Sequence, residues 1–125
     1  MLLEWLDFEF SVVKWTSQRE MEDLGLYTFW SRTDDELSLV CPTGCLPKDI
    51  EEYENGWVAF RVVGKMDFSV VGILADISKC LAEIKISIFA ISTFNTDYIL
   101  IKREGVLLAQ EALEANGWKF QNKKE

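Results

Sequence analysis

The chain has 125 residues, 49% hydrophobic and 27% charged, a balance that suits one folded domain or two very small ones rather than a disordered tail. Twenty-one acids against 13 bases leave a net charge of −8, which excludes partners held by phosphate neutralisation, namely nucleic acid and anionic membrane surfaces. Histidine is absent, so Ser-His-Asp and Cys-His triads and His-ligated metals are excluded too.

The N-terminal MLLEWLDFEF carries acids where an export signal carries lysine, and no apolar run reaches the ~18 residues of a membrane span. Three cysteines, an odd number, suit a reducing compartment, and a cytoplasmic location is expected. Residues 1–55 hold 13 acids and 4 bases, whereas residues 56–125 hold 8 and 9. A solvated acidic face explains the first half most simply; the sharper alternative places a ligand site in the near-neutral second half.

FEFSVVKW (8–15) alternates and predicts a strand; SQREMEDL (17–24) predicts one or two helical turns ended by Gly25. LYTFWS (26–31) and ELSLVC (36–41) predict a hairpin across RTDD. Pro42, Gly44 and Pro47 mark a turn, and PKDIEEYEN then predicts a helix closed by Asn55-Gly56. WVAFRVV (57–63) predicts a strand. From Val70 to Ile84, apolar residues at 70, 73, 74, 77, 81 and 84 fall on one helical stripe. ISIFAIST (86–93), apolar on both faces, predicts a central buried strand, followed by the turn FNTD and the strand DYILIK (97–102). Val106 to Ala115 predicts a helix stopped by Asn116-Gly117, WKF a short last strand, and QNKKE a fraying tail.

The order over 57–120 is therefore β-α-β-β-α-β, an α+β ferredoxin-like sandwich with two helices on one face of an antiparallel sheet. The first half echoes it. Ser31–Trp57 aligns on Ser92–Trp118 at a constant spacing of 61, with 7 of 27 positions identical, among them Leu39/Leu100, Gly44/Gly105 and Asn55-Gly56-Trp57/Asn116-Gly117-Trp118. The expected organisation is a truncated unit over 1–56, short of its first helix, and a complete unit over 57–125.

Gly72-Ile73-Leu74-Ala75, then Ile77, Leu81 and Ala82, then Ile86-Ser87-Ile88, resembles an ACT domain. FSVVGILADI…CLAEIKISIFAISTFNTDYILIK, with TDDELSLVCP upstream, is similar to the small paired-unit ACT group that includes the CASTOR-type amino-acid sensors. The resemblance spans roughly residues 27–116; it departs at Lys85, where relatives more often carry glycine after the helix. It implies a non-catalytic regulatory module, active as a homodimer, that binds a small amino acid or similar zwitterion, with a protein partner reading the change. It implies no cofactor and no metal.

Helix chemistry gives such a ligand a place. An α-carboxylate could dock on the unpaired amides near Val71, Gly72 and Ile73, with an α-ammonium facing Asp97. Phe68, Thr93 and Phe94 would form the wall, and Ser87 and Ile88 would add backbone groups across a unit–unit interface, as the resemblance implies. Each residue also has a plain structural role open to it: Gly72 as a packing glycine, Asp97 as a turn acid, Ser69 as an N-cap. Cys41 and Cys45 are spaced C-x3-C, which suits neither a redox pair nor a zinc ribbon. The alternative function is an assembly module whose pocket is closed by side chains such as Phe68 and Met66.

Overall fold

The computed structural model describes residues 1–64 and 72–124. Among them lie seven strands and two α-helices: β1 Leu2–Trp15, β2 Phe29–Arg32, β3 Leu37–Pro42, β4 Glu52–Val62, α1 Ile73–Glu83, β5 Phe89–Ser92, β6 Asp97–Lys102, α2 Val106–Ala115 and β7 Lys119–Phe120. Two compact units result, a larger one of Met1–Asp7 with Val58–Glu125 and a smaller one of Phe8–Trp57. The first seven residues thus cluster with the second half of the chain, and β1 and β4 contribute to both units.

The larger unit is the ferredoxin-like α+β arrangement. Its strands lie in the order β7-β1-β4-β6-β5. The start of β1 is an extra strand beside β7, parallel to it through Leu2↔Lys119 and Leu3↔Phe120. Helix α1 forms where the stripe predicts it, burying Ile73, Ile77, Cys80 and Leu81. These pack with Ala109 and Leu113 of α2 against Leu3, Trp5, Phe60, Val62, Ile99 and Ile101 of the strands, so both helices cover one sheet face. Each such fully buried aliphatic side chain contributes about 1.5–3 kcal/mol. Val70 of the predicted stripe lies outside the described residues.

Both helices end alike. After α2, Gly117 at φ 95° donates to Glu114 O (3.1 Å) and Trp118 N to Leu113 O (3.1 Å). After α1, Lys85 at φ 61° donates to Ala82 O (2.9 Å) and Ile86 N to Leu81 O (3.0 Å). This is the Schellman closure, and in α1 a lysine occupies the left-handed position that glycine adopts without a Cβ clash.

Two expectations for this unit are corrected. Strand β5 is not central: it sits at the sheet edge, half-buried at Phe89 and Ile91 and exposed at Ala90 and Ser92. Apolar residues on both faces signal burial, but among the described residues one long edge has no neighbouring strand. Residues 121–124 are not loose either. The Asn122 side chain pairs with Trp5 N and Trp5 O (2.9 Å each), and Lys124 N and O bind the amide of buried Gln110 (2.9 and 3.0 Å).

The smaller unit orders its strands β2-β3-β1-β4. Neither predicted helix forms: no helix occurs over 16–28, and 46–51 is irregular before β4 runs through Asn55-Gly56. Apolar periodicity is weak in both segments, so helix formation has no stripe to bury. Side chains cover the sheet instead. Trp15 and Trp30 stack at 5.6 Å, and the Arg19 guanidinium lies 4.6 Å from the Trp15 ring. Arg19 forks onto Asp49 (Nε–Oδ2 2.8 Å, Nη2–Oδ1 2.7 Å) and reaches Glu22 (3.0 Å), fastening one irregular segment to the other. Trp15 also packs with Val13, Leu37, Leu39 and Cys41 in the buried cluster of this unit.

The internal echo has a geometric counterpart. β2 and β5, β3 and β6, and the 3-10 turns Thr43–Cys45 and Arg103–Gly105 each recur at a spacing of 60, one residue less than the sequence alignment. The hairpin turns match: Thr33 N donates to Glu36 O (2.9 Å) and Thr93 N to Thr96 O (2.8 Å), with each threonine hydroxyl bonding the same carbonyl.

Two predictions follow from these contacts. Lys85→Gly removes a left-handed lysine and should raise stability by up to about 1 kcal/mol, roughly 2–4 °C in Tm, read by thermal melting. Arg19 holds the Asp49 carboxyl below its ordinary value chiefly by hydrogen bonding. The folded-state pKa is depressed, so this contribution is present above the unfolded value of ~3.9 and lost as pH falls through the lower folded value. Wild type should exceed Asp49→Asn in denaturant midpoint at neutral pH, and the gap should close in acid below that value.

Candidate functional site

One end of the larger unit gathers most of the predicted site. Thr96 Oγ1 donates to Val62 O (2.7 Å), which sets the start of β6 beside the end of β4. At the other end of β6, a Cβ on Gly105 would lie 3.2 Å from Ile86 Cδ1, so the chain leaving α1 is there and the first turn of α1 points back toward Asp97. Gly72 and Ile73 at the start of α1, and Thr93, Phe94 and Asp97 around the β5–β6 turn, therefore share this end.

Gly72 adopts φ 91°, a left-handed conformation that explains the glycine by backbone geometry, and no side chain caps the helix. Ile73 is buried, its side chain in the core. Asp97 is 7% exposed and Phe94 73% exposed, so Phe94 stands out in solvent rather than walling a pocket. Ser87 and Ile88 lie at the other end of β5, roughly 13–17 Å from Ser92 at about 3.3 Å per residue, and are not brought to this site within the unit. Phe68 and Val71, like Met66 and Ser69, lie outside the described residues.

A cavity of about 290 Å³ opens here, lined by Glu4, Arg61, Val62, Val63, Gly64, Thr93, Asn95, Thr96 and Tyr98. Only Thr93 of these was predicted. Arg61 Nε and Nη2 both contact Glu4 Oε1 at 2.9 Å, and Nη1 reaches the Tyr98 hydroxyl at 3.3 Å. Glu4 alternates with core residues Leu3 and Trp5, Arg61 with Phe60 and Val62, and Tyr98 precedes core residue Ile99, so all three project from the face without helices. The sequence signal was available: Arg61 is the lone charge in WVAFRVV.

The cysteines are free thiols. Burial, with Cys45 adding to it, pushes the Cys41 thiol up to about 11, and burial with Glu83 raises Cys80, opposed by the Asn116 amide 3.4 Å from its sulfur. Both stay protonated near neutrality and are poor nucleophiles. No group of three His, Cys, Asp or Glu able to hold a metal occurs among the described residues. No helix among them is long and apolar enough to cross a membrane.

A sequence model of the ACT domain matches residues 52–115, half of the chain. The chain belongs to the ACT domain family. The match begins in β4 and runs to the end of α2, and takes in every lining residue of the cavity but Glu4. A crystallised Agrobacterium tumefaciens protein is 25% identical with a TM-score of 0.87, covering 99% of this chain and 94% of that one. The aspartokinase alpha and beta subunits follow at 15% identity, TM-score 0.66, 92% and 96% covered. A C-terminal regulatory domain assigned to an aspartate kinase of Porphyromonas gingivalis is similar at 17% identity, TM-score 0.53, 90% and 92% covered. At those identities the last two show the shared fold alone. No curated protein matches the sequence significantly.

Burial orders the thiols by access. Iodoacetamide at about pH 8 should label half-buried Cys45 well before Cys41 and Cys80, read by mass spectrometry of timed digests.

Proposed function

We propose that this ACT protein is a non-catalytic regulatory module that binds a small amino acid or related effector in its larger unit and passes the binding on to a protein partner. The observation that carries this reading is the cavity at the β5–β6 turn, lined by Glu4 and by residues between Arg61 and Tyr98 that fall in the segment matching the family. The same fold occurs in a domain assigned as the C-terminal regulatory domain of an aspartate kinase, in keeping with a regulatory role.

The two units are a complete ACT-like unit and a truncated one, a pairing supported by elements that recur 60 residues apart and by the resemblance to the paired-unit sensors. Edge strand β5 gives a second copy of the chain a place to pair, so a homodimer completes the proposal, with Ser87 and Ile88 at that edge. Three free cysteines, an odd number, suit a reducing, cytoplasmic setting.

A second reading is favoured by α2, which exposes adjacent Leu107 and Leu108 (55% and 61%): a protein–protein assembly module without a small ligand. A thermal-shift screen of the twenty amino acids separates the two. A binder gains stability as RT ln(1 + [L]/Kd), about 2.7 kcal/mol at a hundredfold excess over Kd, for a subset of the panel. A flat response across the panel at millimolar ligand would favour the assembly module.

A further inference from the structure

We infer that the smaller unit docks its protein partner at Leu26, and that the partner's docking segment is basic with an apolar anchor. This rests on the reading above that a protein partner receives the binding signal, and it adds the face and the chemistry of that partner.

A solvated loop does not explain Leu26. At 82% it is the most exposed large hydrophobic side chain among the described residues. The chain around it is tied down: Gly25 N donates to Asp23 Oδ1 (3.0 Å), and Thr28 Oγ1 donates to Gly25 O (2.9 Å). Left-handed residues flank it on both sides, Gly25 at φ 98° and Tyr27 at φ 60°. Glycine adopts that conformation freely, whereas the Cβ of a tyrosine crowds its own backbone there. Strain of this kind concentrates at binding sites, where the surroundings over-determine the backbone. The Tyr27 ring lies 5.7 Å from that of Phe8, which is itself 45% exposed, so Leu26 adjoins further apolar surface.

The larger unit covers the equivalent residue. Ile86 stands 60 positions after Leu26, the spacing at which the other elements recur, and it too follows a left-handed residue, Lys85 at φ 61°. There the isoleucine packs against the core cluster that both helices help to build. The smaller unit has no helix between β1 and β2, so the same apolar position has no cover of its own. A partner's apolar side chain supplies it.

Charge selects the occupant. The smaller unit holds 11 acids and 4 bases, the larger 10 and 9. Arg19 is engaged by Asp49 and Glu22, while Glu20 and Asp23, exposed on the segment that carries Leu26, have no ion-pair partner among the described residues. A second copy of the chain offers either the same acidic unit, which repels, or a unit without a basic excess. A segment bearing Lys or Arg beside an apolar anchor meets both features at once.

The test selects binders to the full chain from a random-peptide display library, measures the selected peptides by fluorescence anisotropy and maps them by 15N amide shifts. The expected peptides carry Lys or Arg around a Leu, Phe or Trp, shift amides centred on Gly25–Thr28 and Phe8, and bind more weakly as salt is raised. Leu26→Ser should weaken them by about tenfold or more and, because Leu26 is exposed, should melt with wild type. Leu107→Ser with Leu108→Ser, on α2, should leave their affinity unchanged. The wild-type shift map needs no variant to fold. Peptides without basic residues, or shifts centred on α2 with full affinity in Leu26→Ser, would overturn this face and leave the partner reading standing. Selection of no binding peptide would overturn both, and effector binding is judged apart from them by the thermal screen.

Discussion

The larger unit closes around one indole. Trp5 stacks flat on Phe120 at 5.1 Å and meets Phe60 edge-on at 5.1 Å, so β1, β7 and β4 are fixed by one aromatic cluster. Its Nε1 donates to Gln110 Oε1 (2.8 Å), and the same amide binds both backbone groups of Lys124. A buried amide must be satisfied, and Gln110 draws its partners from the indole and the tail together. Removing a buried aromatic side chain costs about 3–5 kcal/mol before any stranded polar group is added. The site depends on this cluster, because Glu4 precedes Trp5 in β1. With Trp5 locked into the helix-covered face, strand alternation turns Glu4 to the other face, where Arg61 is.

How much of this could be read from the sequence varied by element. The α1 stripe, the β5–β6 turn, β6 and the Asn116-Gly117 stop were legible because each is a local pattern, three or four residues that decide their own backbone. The failures are long-range. Nothing near residue 19 reveals that its arginine binds Asp49, 30 residues on, and without that partner SQREMEDL looks helical. Nothing in QNKKE shows that a side-chain amide at 110 waits for it. Strand β5 misled in another way: apolar residues on both faces normally mean neighbours on both sides, and here one side is an edge.

The site was legible in part for the same reason. Gly72 and Asp97 were found from family-like spacing and sit at one end of the unit, but spacing along the chain says little about which face a group uses. Asp97, Ile99 and Ile101 share the helix side of β6, whereas Tyr98 faces away with Arg61 and Glu4. Those three come from separate strands, Glu4 and Arg61 being 57 positions apart, and only strand order and register bring them together. A lone arginine in an apolar strand was the one local hint.

The two units share one hairpin arrangement, the larger with helices against it and the smaller without. Both keep the hairpin, the threonine-capped turn and the 3-10 turn at the end of the hairpin's second strand. In the larger unit two helices then bury the sheet; in the smaller one, stacked Trp15, Trp30 and Arg19 cover it. This changes the meaning of the acidic first half. Asp49 and Glu22 hold Arg19, Glu51 accepts from Ser17 (3.1 Å), and Glu36 accepts from Ser38 (2.7 Å). The acids there are more than a solvated face, since several of them fasten irregular segments that no helix holds. A sheet covered by loops needs such side-chain ties because its covering segments lack the internal hydrogen bonds of a helix, and charge-assisted bonds supply them at the surface.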